Sequence, residues 1–176
     1  MKTIVCAGFY RSGSTWLFNA VKSILLLSGA KVNQSGNQFQ SDTNCDFFIH
    51  KVHDFDDELS QKADIIITSS RNLKDARNSF RSFMKRDMDE EKWTQSLKDY
   101  SRWRMLSDYD MDFYRMMYDR DLILLDLMDV LKIEVSMDEL RNKIDSIKPP
   151  KSGHDPDSFY FSNHITNPKS EKRKRN

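Results

Sequence analysis

The segment GFYRSGSTW (residues 8–16) has the glycine spacing of a phosphate-binding loop. Four residues separate Gly8 from Gly13, and Ser14 and Thr15 follow, whereas a Walker A loop carries lysine at the position of Ser14. That lysine reaches the β- and γ-phosphates of a nucleoside triphosphate, and the next hydroxyl holds Mg²⁺. The segment nevertheless crowds polar groups at a predicted helix N-terminus, whose free N–H groups and dipole favour an anion. It therefore predicts an anion-binding site that lacks the lysine of triphosphate-binding loops. The alternative is a glycine turn that only reverses the chain.

Two further groups of polar residues lie at the ends of predicted strands. The segment KVH (residues 51–53) ends one strand, and SSRNLKDARNS (residues 69–79) follows another. The guanidinium of Arg71 and the hydroxyl of Ser79 together suit a phosphate, and the alternative is a surface arginine and an ordinary helix serine. The near-neutral pKa of a histidine such as His53 suits a general base, and the alternative is a solvated histidine at a strand end.

His50 is a second histidine in the same predicted strand. Side chains alternate along a strand, so His50 and His53, three residues apart, point to opposite faces. We therefore expect one of them to face a ligand directly and the other to pack under a helix or to be partly solvated. Lys51 should lie on the same face as His53.

The hydrophobic pattern alternates between strands and helices. Short apolar and β-branched runs predict strands at residues 2–7, 46–53, 64–69 and, weakly, 108–113. Apolar residues at helical spacing predict helices at residues 14–28, 73–88, 91–106, 121–133 and 136–147. The polar segment 33–45 is typical of a loop. We expect an α/β fold with a P-loop-type parallel sheet flanked by helices in a single three-layer domain. In such folds ligands bind beyond the carboxyl ends of the strands, where all three polar groups lie.

The composition is that of a globular chain. With 176 residues, 38% apolar and 31% charged, it is long enough for one core and is not typical of a disordered protein. A formal charge of +1 argues against a surface built for nucleic acid or membrane. Two cysteines form no disulfide framework or metal-ligand cluster, and neither a signal peptide nor a membrane-spanning run is evident. We expect a soluble, cytoplasmic protein; its oligomeric state is left open.

Three motifs together resemble those of the sulfotransferases that use 3′-phosphoadenosine 5′-phosphosulfate (PAPS). YRSGSTWL (residues 10–17) is similar to their 5′-phosphosulfate loop, P-K-S-G-T-T-W-L. RNLKDARNS (residues 71–79) resembles their 3′-phosphate motif, R-N/D-P-K/R-D-x-x-x-S, and KVH resembles their K-T/S-H segment. More weakly, residues 113–133 resemble the Y-E-D-L…F-L-G stretch. The resemblance covers roughly residues 2–147, which implies a PAPS-binding α/β domain at 1–150 and a C-terminal segment with a basic tail at 151–176.

The resemblance implies PAPS as co-substrate, PAP as product and no required metal. PAPS has a single 5′-phosphate bearing the sulfuryl group, so a Walker lysine is not needed. The cofactor-binding residues would be Arg11, Ser12, Gly13, Ser14, Thr15, Trp16, Arg71 and Ser79, with Trp16 on the adenine or, equally, in the core. His53 would be the general base, assisted by Arg11 and Lys51, and the acceptor would be a hydroxyl or amine of a small molecule or carbohydrate.

The chain also departs from the family's pattern. Leu73 replaces a proline, and the C-terminal R-K-G segment that closes over the 3′-phosphate is not recognisable. NHITN (residues 163–167) resembles an H-I-T/S-D-G stretch of some smaller members, and the basic tail would supply cations to the 3′-phosphate or be a solubilising tail. The chain is also short for the family, so we expect its acceptor loops to be reduced.

Three other functions are compatible with the sequence: a P-loop kinase of small molecules, a PAP- or PAPS-binding protein without catalysis, and nucleic-acid binding. The last would use the basic tail with the aromatic residues Trp93, Tyr100 and Trp103, and would depend strongly on salt. We do not expect a specific nucleic-acid or membrane partner.

Overall fold

The computed structural model describes residues 1–35 and 44–160 of the chain. Within them, strands and helices alternate as follows: β1 (Lys2–Gly8), α1 (Ser14–Leu27), β2 (Val32–Ser35), β3 (Phe47–Val52), α2 (Asp57–Lys62), β4 (Ile65–Ser70), α3 (Leu73–Met84), α4 (Glu90–Leu106), β5 (Tyr109–Asp112), α5 (Phe113–Tyr118), α6 (Arg120–Leu131) and α7 (Met137–Ser146). The predicted α/β class is confirmed.

The five strands form one parallel sheet in the order β2-β3-β1-β4-β5. The central strand β1 therefore lies between β3 and β4, and the carboxyl ends of these three strands meet at one edge. This order places the loop after β1 between the KVH segment on one side and the segment containing Arg71 on the other. The convergence expected from the three strand ends is thus a property of the sheet topology.

Alternation along β1 explains the layers on both faces of the sheet. Ile4 and Cys6 face a core that includes side chains of α1, α6 and α7, whereas Val5 and Ala7 face a smaller cluster containing Leu59 and Trp103. A further aromatic cluster lies between the loop after β1 and helices α3 and α4. Because strands of a parallel sheet are covered on both faces, β1 is apolar on both.

Several boundaries differ from the predictions. Residues 32–35, partly within the predicted loop 33–45, form the edge strand β2 because they pair with β3, although their side chains are mostly polar. The helix predicted at 73–88 ends earlier, since Lys85 adopts a left-handed conformation with φ 58°. The short helices α2 and α5 were not predicted; Asp56 and Asp112 cap their N-termini. In the described part of the chain, no helix has the length and apolarity needed to cross a membrane.

Candidate functional site

The loop joining β1 to α1 is held tightly against β4. The Oγ atoms of Ser12 and Ser69 lie 2.7 Å apart in a hydrogen bond, and both side chains are fully buried. A β-carbon at Gly8 would lie 2.3 Å from Ser69 Oγ and 2.6 Å from Ser12 Oγ, so glycine alone lets the strand end approach this closely. The Ser12–Ser69 bond and the close approach at Gly8 thus tie the loop to β4.

The loop turns through two left-handed residues into α1. Arg11 has φ 68° and Gly13 has φ 99°. Gly13 is the N-cap of α1, and no side chain caps that end of the helix. Ser14 is buried in the first turn, and Thr15 follows it, partly exposed. An uncapped helix start with adjacent hydroxyl groups offers N–H donors to an anion.

Two arginines and a serine from separate elements meet beside this loop. The Nε atom of Arg11 donates a hydrogen bond to Ser79 Oγ at 3.2 Å, which joins the loop to α3. An Nη1 donor of Arg71, which follows β4, reaches the backbone oxygen of Arg11 at 3.3 Å. The predicted phosphate ligands Arg11, Arg71 and Ser79 are thus brought together. A guanidinium group and a hydroxyl group both suit phosphate or sulfate oxygens.

Aromatic rings support both guanidinium groups. The Cζ atom of Arg71 lies 3.9 Å from the centroid of the Phe113 ring, and that of Arg11 lies 4.2 Å from the Phe83 centroid. Phe113 also lies closest to Gly13, whose added β-carbon would meet its ring at 3.1 Å. Stacking of this kind holds a planar cation in a fixed orientation.

Lys51 and His53 lie on the opposite side of the loop, at the end of β3. The Nδ1 atom of His53 is 2.5 Å from the backbone oxygen of Gly8, so in the neutral ring it carries the proton and donates it to that carbonyl. The Nε2 atom is then the acceptor, and Lys51 Nζ lies 3.5 Å from it. The proton-accepting atom of His53 is therefore Nε2.

Burial sets the protonation of this pair. Burial, with the nearby charge of Lys51, lowers the pKa of His53 from 6.5 to about 3, against the opposing effect of its bond to Gly8. Burial, together with the charge of Arg11 and against the opposing effect of Cys6, also lowers the pKa of Lys51 from 10.5 to about 8. At neutral pH His53 is neutral and Lys51 is mostly charged.

The second histidine, His50, lies elsewhere. It is 4% exposed and its ring is 4.8 Å from that of Phe48 within β3. Burial lowers its pKa. Trp16, predicted to contact adenine or the core, is partly buried against the main core.

A loop after α7 packs over α1 close to Lys51. Asn19 Nδ2 donates to the backbone oxygen of Ser158 at 2.8 Å, and Phe159 packs edge-on against Phe18 with centroids 4.9 Å apart. The Lys51 Nζ atom lies 5.5 Å from the Phe159 centroid. The rest of the predicted C-terminal segment, with NHITN and the basic tail, lies outside the described residues.

The aromatic residues of α4 are buried rather than available to nucleic-acid bases: Trp103 is 0%, Trp93 6% and Tyr100 8% exposed. This removes one of the two features behind the nucleic-acid alternative. In residues 1–35 and 44–160, no group of three or more histidine, cysteine, aspartate or glutamate side chains is arranged to hold a metal ion.

Sequence reasoning missed the aromatic residues of the site. Tyr10, Phe83 and Phe113 contact the predicted polar residues, yet each looks like an ordinary apolar residue in its segment. The signal that could have found Tyr10 is its position within the loop, where the common form of the motif has proline.

Comparison with known proteins supports the fold. No protein-family profile and no curated protein sequence matches this chain. Among solved structures it is similar to that of mouse sulfotransferase SULT7A1 complexed with PAP, with a TM-score of 0.59 and 15% identity. The match covers 82% of this chain and 63% of the mouse protein, so this chain spans less than two thirds of the mouse protein's length. The protein therefore has a sulfotransferase-like fold.

Proposed function

We propose that the protein binds PAPS and transfers its sulfuryl group to a hydroxyl or amine acceptor, a small molecule or a carbohydrate. One arrangement carries the proposal. At the carboxyl edge of the sheet, the uncapped start of α1 lies between two groups of side chains. Arg71 and Ser79, which follow β4, are linked to Arg11 on one side, and Lys51 and His53 lie at the end of β3 on the other. The similarity in fold to a sulfotransferase solved with PAP supports it.

The two arginines divide the work of binding the nucleotide. Arg11 and the first turn of α1, with the hydroxyl groups of Ser14 and Thr15, would bind the 5′-phosphosulfate. Arg71 and Ser79 would bind the 3′-phosphate, which distinguishes PAPS from ordinary adenine nucleotides. Ser12 would contribute through the backbone that its bond to Ser69 fixes, and Trp16 would pack on the adenine.

The lysine–histidine pair would carry out the chemistry. A bond forms between sulfur and the acceptor oxygen or nitrogen as the bond from sulfur to the 5′-phosphate oxygen breaks, and PAP leaves with the electron pair of the broken bond. His53 Nε2 would take the acceptor proton, since Nδ1 is engaged with Gly8. Lys51 would turn from Nε2 toward the charge that develops on the leaving phosphate.

The anionic donor also explains how His53 would work as a base with so low a pKa. Negative charge beside an imidazole favours its protonated form, so bound PAPS would raise the pKa of His53 from its ligand-free value of about 3. It would also draw the Lys51 ammonium away from Nε2. His53 would therefore become a stronger base when PAPS binds, before the acceptor reacts.

Calorimetry with PAP, AMP and Mg²⁺-ATP, each also measured with a metal chelator, tests the nucleotide assignment. PAP should bind more tightly than AMP, because AMP has no 3′-phosphate for Arg71 and Ser79. Chelation should change neither affinity. Equal affinities for PAP and AMP would reject the assignment, and metal-dependent binding of ATP with turnover would favour a kinase.

Transfer from radiolabelled PAPS to a panel of phenols, alcohols, sugars and amines tests catalysis. With an acceptor found in this way, His53→Ala should lower transfer by about 10²–10⁴, the usual contribution of a general base, while leaving PAP affinity nearly unchanged. His50→Ala is the matched control and should cost stability rather than chemistry. Tight PAP binding without transfer to any acceptor would instead indicate a nucleotide-binding protein.

A further inference from the structure

Tyr10 lies face to face with the histidine proposed as the base. The centroids of the Tyr10 and His53 rings are 4.5 Å apart, and the ring planes are inclined by 24°. Tyr10 comes from the loop between β1 and α1, whereas His53 follows β3. Offset parallel stacking at this distance is a favourable arrangement of aromatic rings.

The Tyr10 ring also packs against aromatic residues other than His53. It packs edge-on against Phe80 of α3, with centroids 6.1 Å apart and an angle of 76°, and it borders the aromatic cluster containing Phe9 and Trp93. Burial raises the pKa of the Tyr10 phenol, and the charge of Asp54 raises it further. Tyr10 is therefore neutral at physiological pH, and its ring packs against α3.

His53 is thus constrained in three ways. Its Nδ1 is bonded to the Gly8 carbonyl, its Nε2 faces Lys51, and one ring face lies on Tyr10. A single hydrogen bond at Nδ1 leaves the imidazole free to tilt about that bond. If Lys51 turns from Nε2 to the phosphate, the stacked ring of Tyr10 would still hold the plane of the imidazole.

We propose that Tyr10 is a positioning residue that holds the imidazole of His53 so that Nε2 points at the reacting acceptor. The proposal rests on the proposed function. It requires the ring of Tyr10 and not its hydroxyl. Since a displacement of about 1 Å can cost 10²-fold in rate, loss of the ring should lower turnover by about tenfold to a hundredfold.

The test compares the full-length wild type with Tyr10→Phe, which keeps the ring, and Tyr10→Leu, which removes it. Proton NMR would follow the imidazole signals of His53, assigned by their absence in His53→Gln. A stacked ring shifts these signals upfield, so the shift should be present in the wild type and Tyr10→Phe and lost in Tyr10→Leu. Wild-type signals at the positions of an unstacked imidazole would overturn the proposal even if Tyr10→Leu failed to fold.

Transfer kinetics and calorimetry with PAP complete the test. Tyr10→Leu should lower kcat with little change in PAP affinity or in KM for PAPS, and Tyr10→Phe should restore kcat. Full turnover in Tyr10→Leu, or a loss of PAP affinity as large as the loss of kcat, would overturn the role of Tyr10. Failure of the wild type to bind PAP would reject the proposed function instead, and with it the need for a positioned base.

Discussion

Replacement of Arg71 by methionine should abolish most of the preference for PAP over AMP. Arg71 follows β4, its Nη1 lies 3.3 Å from the Arg11 carbonyl, and its guanidinium is stacked 3.9 Å from the Phe113 centroid. Methionine keeps an unbranched apolar stem against the Phe113 ring and removes the charge. The substitution therefore tests the cation with little change in packing.

The expected loss follows from one charged hydrogen bond. Such a bond contributes about 1.5–3 kcal/mol, which at about 1.4 kcal/mol per tenfold corresponds to roughly a 12- to 140-fold weaker PAP complex. AMP has no 3′-phosphate, so its affinity should change by less than about threefold, well under 1 kcal/mol. The lost bond to the Arg11 carbonyl should lower the free energy of unfolding by about 1 kcal/mol.

Isothermal titration with PAP and AMP measures both affinities, and denaturant unfolding measures stability. Arg81→Met is the matched control: it removes an arginine from α3 whose side chain is 56% exposed and pairs with Asp87. It should leave both nucleotide affinities unchanged. If Arg71→Met binds PAP within about twofold of the wild type, or if PAP and AMP weaken equally, Arg71 does not bind the 3′-phosphate, since such a contact is worth more than about 1 kcal/mol.

Three further outcomes are expected. The pKa of His53 is lowered from 6.5 to about 3, so between these pH values the unfolded chain binds a proton that the folded chain does not. The free energy of unfolding should therefore fall as the pH drops through that window, by up to about 1.4 kcal/mol per pH unit. His53→Asn should reduce this slope in acid unfolding curves. Gly8→Ala should disrupt PAP binding, because its β-carbon would lie 2.3 Å from Ser69 Oγ. Gly29→Ala has open space around its β-carbon; it should cost about 1 kcal/mol of stability through its positive φ and leave PAP binding, measured by calorimetry, intact. Leu124→Ala, at a fully buried position of α6, should lower the free energy of unfolding by about 2–5 kcal/mol, whereas Leu125→Ala at a half-exposed neighbour should stay within about 0.5 kcal/mol; equal losses would show that the α6 face is assigned wrongly.

The long, strongly patterned elements were predictable from the sequence. The apolar run before Gly8, the β-branched run at 65–67 and the periodic helix after Gly13 each carry a local signal stronger than any competing one. Parallel strands joined by helices bring their carboxyl ends to one edge, so the meeting of three polar segments also followed from local pattern and general topology. The division of the chain near residue 150 stays a prediction.

Tertiary structure decided what depends on pairs of residues far apart in the chain. β2 exists because Val32–Ser35 pairs with β3, and its side chains alone favour a loop. The proton on Nδ1 of His53 is assigned by the Gly8 carbonyl, 45 residues away in sequence. The stacking of Tyr10 on His53, and of Phe113 on Arg71, likewise joins segments with no common sequence pattern. Residue type and spacing determine which chemistry a segment can offer, but the orientation and protonation of each group depend on neighbours that only the folded chain brings within reach.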